Sequence, residues 1–219
     1  MDFTSKLSLY DTLTMLVTGL LILFLVVPFD VHPFLFDEWY IIALFVVACY
    51  VLGMLYHKSL EWFIKHLCRC KFCVRSFLRF SLFRSFCPNN MTMIRRAFVS
   101  IYGQSQHKEA IRKDDYFAAY YQLMQKGCLG NIPVLEAQEA FLRNLSLIAL
   151  AYLFVYPLGN ANMVKWFGAL SANQCIVFIL TGIIVLSGLL WLHNYTQGKI
   201  YYLVWEGNKY LIDMGGKKR

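Results

Sequence analysis

Long apolar runs alternate along this chain with one polar, basic stretch. Thr12 to Phe29, Trp39 to Tyr56 and Gln174 to Leu192 contain no charged side chain. Each has about the 18 to 20 residues that a helix rising 1.5 Å per residue needs to cross about 30 Å of hydrocarbon. A fourth run, Phe141 to Leu158, carries Arg143 near its start and Pro157 near its end, positions where a long side chain snorkels and a helix stops. The pattern predicts an all-α integral membrane protein with four transmembrane helices and a helical cytoplasmic subdomain between helices 2 and 3. Its parts are helices 1 and 2 in 1–59, the basic subdomain in 60–140, helices 3 and 4 in 141–195 and a cytoplasmic tail in 196–219. The first run lacks the basic flank and small-residue cleavage site of a secretory leader, so it is expected to be a retained helix.

Between the second and third runs the period changes. Leu60, Phe63, Ile64, Leu67, Val74, Phe77 and Leu78 recur at spacings of three and four, while Lys65, Arg69, Lys71, Arg75 and Arg79 fall between them. This spacing predicts an amphipathic helix with a basic face, suited to the headgroup plane or to the underside of the bundle. "MTMIRRAFVSIY" fits strand or helix. "DDYFAAYYQLMQKG" predicts a short helix with Phe117, Tyr120, Tyr121 and Met124 on its apolar face, followed by a second helix with Asn131 as N-cap and Pro133 in its first turn. The tail is expected to continue the fourth helix, with Tyr201, Tyr202, Trp205 and Tyr210 in the interface region.

Composition settles the solvent. At 58% hydrophobic and 16% charged residues, one soluble domain could not cover its own apolar volume with polar surface. Net charge is +8, and most of it lies between Tyr56 and Lys113, whereas the link from Phe29 to Glu38 has Asp30, Asp37 and Glu38 and no base. The positive-inside rule therefore places both termini and the middle segment in the cytoplasm. A basic face toward anionic lipid accounts for the charge more simply than nucleic-acid binding does.

Candidate chemistry is sparse. His66, Cys68, Cys70, Cys73 and Cys87 are potential zinc ligands, but only Cys70 and Cys73 have knuckle spacing and no turn residue separates them. No metal or cofactor is expected, and seven free thiols are. No nucleotide-binding, metalloprotease or nucleophile-elbow motif occurs, so an enzyme is not expected. Asp11 is read as a helix cap or as a carboxylate acting near the bilayer. Glu136, Glu139 and Arg143 approach the third run, and the spacing of Glu139 and Arg143 favours an ion pair at the membrane boundary or a gate.

Three stretches, "SLYDTLTMLVTGLLILF", "YVLGMLYHKSLEW" and "YYQLMQKGCLGNIPVLEAQEAFLRNL", together resemble a group of small four-span bacterial membrane proteins, often from Bacteroidota, found in antiphage operons of the Kiwa, Hailong and CRISPR-accessory types. Where that group has Pro-Gly, this chain has Val17-Thr18-Gly19, keeping the Gly without the Pro. The resemblance implies a multi-pass protein of the bacterial inner membrane, a homo-oligomer that forms a pore or perturbs the bilayer when a soluble defence partner or a nucleotide signals. For a nucleotide, Arg95, Arg96, Arg112 and Lys113 are the expected phosphate-facing residues on charge grounds. The alternative is a non-conducting anchor that recruits a soluble partner. Thr14, Thr18, Thr181 and Ser187 are the side chains that could wet a pore, and their scarcity counts against conduction.

Overall fold

The computed structural model describes residues 3–26, 39–69, 91–103, 112–161, 164 and 168–216, without the side chains of 3–11, 26, 61, 63–69 and 215–216. The described residues form six helices and no strand. They are α1 (Phe3–Val26), α2 (Trp39–Arg69), α3 (Met91–Tyr102), α4 (Lys113–Gln125), α5 (Ile132–Val155) and α6 (Ala172–Gly216). The stretch 70–90, with Cys70, Cys73 and Cys87, lies outside the described residues, as do the side chains of His66 and Cys68.

Among the described residues three helices are long and apolar enough to cross a membrane, over Trp39–Leu60, Ile132–Val155 and Ala172–Met214. The corresponding apolar part of α1, Thr12–Leu25, is shorter, because α1 ends at Val26 and residues 27–38 are not described. Asp11 does not cap α1. The helix starts at Phe3, so Asp11 lies more than two turns inside it.

α1 packs on α2 and α5, and α5 packs on α6. Small residues bring the backbones together: a Cβ on Gly19 would overlap the Cys49 carbonyl, and one on Gly53 would overlap that of Met15. Such contacts suit helices in lipid, where close van der Waals packing replaces the hydrophobic effect. The hydroxyl of Tyr152 on α5 donates to the Leu21 carbonyl of α1 at 2.7 Å.

α6 is 45 residues long, about 68 Å at 1.5 Å per residue and more than twice the thickness of hydrocarbon. Its second half carries α3 and α4. Ile94, Ala97, Tyr116, Ala119, Leu123, Val204 and Trp205 form the core of this helical body. "MTMIRRAFVSIY" is thus a helix, with Ile94, Ala97, Phe98 and Ile101 toward the core. The buried face of α4 is Tyr116, Ala119 and Leu123, whereas Tyr121 and Met124 are exposed. That face sits one residue away from the one the sequence pattern predicts, since small Ala119 lets α4 approach α6 more closely than its tyrosines would. Tyr201 and Trp205 are likewise buried in this body. Edge-to-face contacts join Tyr116 to Tyr201 at 5.2 Å and Phe98 to Trp205 at 5.0 Å.

The boundaries read from the sequence at 59/60, 140/141 and 195/196 all fall inside continuous helices. A helix need not end where hydrocarbon ends, because its backbone bonds are satisfied internally on either side.

Candidate functional site: a polar cavity between α4, α5 and α6

The turn between α4 and α5 sets the site. Gly127 has φ +65°, a left-handed conformation that glycine adopts without Cβ strain. Around it the Cys128 N–H donates to the Leu123 carbonyl at 2.9 Å and the Gly127 N–H to that of Met124 at 3.1 Å, the paired bonds of a Schellman stop. α4 begins as tightly, with the Arg112 N–H donating to Asp115 Oδ2 at 2.7 Å. Asn131 and Pro133 then start α5. The short hairpin brings Tyr120 over the first turns of α5, where its hydroxyl donates to Glu136 Oε2 at 3.1 Å.

Behind that bond lies a cavity of about 310 Å³, lined by Tyr116, Phe117, Tyr120 and Tyr121 from α4, Glu136, Glu139 and Arg143 from α5, and Gln197, Ile200 and Tyr201 from α6. Glu136, Glu139 and Arg143 share one face of α5 because their spacings are three and four. Gln197 and Tyr201 follow one another on α6 for the same reason. Burial, and secondarily the nearby Glu136 carboxylate, pushes the Tyr120 hydroxyl up to about 12. Tyr116, more deeply buried, is raised further by the same desolvation.

Glu139 turns toward α6 and not along its own helix. Its Oε1 lies 3.4 Å from Nδ1 of the fully buried His193, and among the described residues it has no ion pair with Arg143. One turn deeper, buried Asn144 places Nδ2 3.1 Å from His57 Nδ1 of α2. His193, Gln197, Asn144 and His57 are parts of the site that the sequence reading did not single out. The signal available was a polar stripe at His193 and Gln197, four apart at the end of an apolar run.

The remaining predicted residues lie elsewhere. Arg95 and Arg96 are on α3, and Arg112 and Lys113 begin α4, with Lys113 Nζ 5.5 Å from the Phe117 ring centre. The Asp11 side chain is outside the described residues. Thr14 and Thr18 are buried, while Thr181 and Ser187 are exposed. Cys49, Cys128 and Cys175 are free thiols. Among the described residues no three His, Cys, Asp or Glu side chains gather as a metal-ligand set. No family model, curated protein or solved structure matches this chain.

Proposed function

We propose that the chain is a non-conducting membrane anchor: a four-span protein of the bacterial inner membrane, with both termini and the α3–α4–α6 body in the cytoplasm, that holds a soluble partner at the bilayer. The antiphage setting implied by the sequence resemblance is kept, with the partner as the sensing or acting component. The observation that carries this reading is where the span polar groups point. Thr14 and Thr18 are buried, and Asn144 is bonded to His57 within the same chain. Thr181 and Ser187, though exposed, are six residues apart on α6 and so face about 120° away from each other. On one chain the two do not share a face, and most of the surface around them, with Ile176, Val177, Leu180, Ile183 and Ile184, is suited to lipid.

Arg96, Arg112 and Lys113 are exposed, with Asp114 and Asp115 beside the last two, and give the body a charged surface for a polar partner. The test is dye and ion release from liposomes holding the purified protein, before and after addition of soluble proteins encoded beside it. No release in either case, with a co-purifying partner, is expected. Release of ions on adding a partner would reinstate the pore.

A further inference from the structure

The cavity between α4, α5 and α6 has unmet needs that define a ligand. It holds two carboxyl groups, Glu136 and Glu139, against one guanidinium, Arg143. Gln197 is 5% exposed, lines the cavity, and its Oε1 has no hydrogen-bond partner among the described residues. A buried acceptor in that state costs free energy until a donor reaches it. Nε of Arg143 is a buried donor equally without a partner among the described residues. Glu136 accepts from Tyr120 and keeps further lone pairs for a second donor. The rings of Tyr116, Tyr120 and Tyr201 complete the wall, and aromatic faces attract cations.

Position narrows the class. Glu136 is 19 residues from the far end of α5 at Val155, and Gln197 is 25 from the far end of α6 at Ala172. At 1.5 Å per residue these are about 28 Å and about 38 Å; with the far ends of both helices at one face of a hydrocarbon layer about 30 Å thick, as the proposed placement has them, the other face would lie close to the cavity. That is the level of lipid headgroups.

We propose that the cavity binds a phosphoethanolamine group, with its primary ammonium between Glu136 and Gln197 and its phosphate oxygen toward Arg143. A quaternary ammonium has no N–H to give Gln197. A nucleotide phosphate alone would face the two carboxyl groups. The group, a phosphodiester with one negative charge, is the same in a membrane phospholipid and in soluble glycerophosphoethanolamine. This inference rests on the membrane placement above but not on the absence of conduction.

The experiment is native mass spectrometry of the full chain released from nanodiscs containing equal parts of phosphatidylethanolamine, phosphatidylcholine and phosphatidylglycerol, repeated with free glycerophosphoethanolamine as competitor. Selective retention of the ethanolamine lipid is expected. Loss of one charge-assisted hydrogen bond in Gln197→Leu or Glu136→Gln should weaken it about tenfold, while Lys209→Gln, on the exposed side of α6, should not. Displacement by free glycerophosphoethanolamine would support the group and assign it a soluble source. Equal retention of the three lipids by the wild-type chain overturns the site whatever the variants do, and leaves the membrane reading standing. Failure of the chain to enter nanodiscs at all would overturn both.

Discussion

The α1–α2 pair and the α3–α4–α6 body are held by opposite means. In the first, Gly19 and Gly53 bring backbone against backbone, and large apolar side chains such as Leu44, Val47 and Leu55 face outward. In the second, Ile94, Leu123 and Val204 are fully buried, and a Cβ on Gly207 would meet only the side chain of Leu123, at 2.9 Å. The difference is the one that the proposed placement, with α1–α2 in lipid and the body in water, would produce. Lipid gives apolar side chains no reason to leave it, so close dispersion contact must do the holding. Water drives them together at about 25 cal/mol per Å² of apolar area buried.

The contrast can be broken most forcefully at Gly19. Gly19→Leu places a side chain into the Cys49 carbonyl, and backbone cannot yield as a side chain can. The expected loss is about 3 kcal/mol or more, seen as proteolysis between α1 and α2 in detergent while α3 and α4 stay protected. Equal protection of both regions would show that α1 is not fixed by this crossing.

Leu123→Ala should act on the other region alone. We expect a loss of about 2–3 kcal/mol, in the lower part of the usual Leu→Ala range, because Gly207 gives α6 room to close on the smaller residue. Thermal unfolding followed by tryptophan fluorescence measures it, through Trp205 in the same core.

The smallest effect is on pH. Tyr102, Tyr116 and Tyr120 are all raised by burial. Unfolded, they ionise near 10, whereas folded Tyr120 does so near 12. The unfolded state therefore releases protons first. The stability they contribute is complete below pH 10 and is lost as pH rises toward 12. Tyrosine absorbance should show a late-titrating fraction that is smaller by one group in Tyr120→Phe, and a late fraction of unchanged size would mean that this hydroxyl is not held against Glu136.

Much of the helical content was legible from apolar runs and turn chemistry. Asn131 and Pro133 stand at the start of α5 as expected, though the Asn131 side chain makes no cap bond. The rest depended on tertiary choice. Tyr116 and Tyr120 are similar side chains on one amphipathic helix, and only the approach of α6 to Ala119 decides which is buried. Likewise the charge pattern along α5 favours Glu139 with Arg143, yet His193 on a helix over 50 residues away lies 3.4 Å from that carboxylate. No local spacing reports such a meeting.

α6 also has a mechanical meaning. A helix 45 residues long without interruption is a rod of about 68 Å, touching α5 along one part and α3 and α4 along another. Tilting it by about 5° about one end would carry the other end roughly 6 Å, taking the same 1.5 Å rise, which is more than a turn's pitch. In the membrane placement proposed above, small shifts in bilayer thickness or in packing against α5 would therefore be delivered, magnified, to α3 and α4 as displacement.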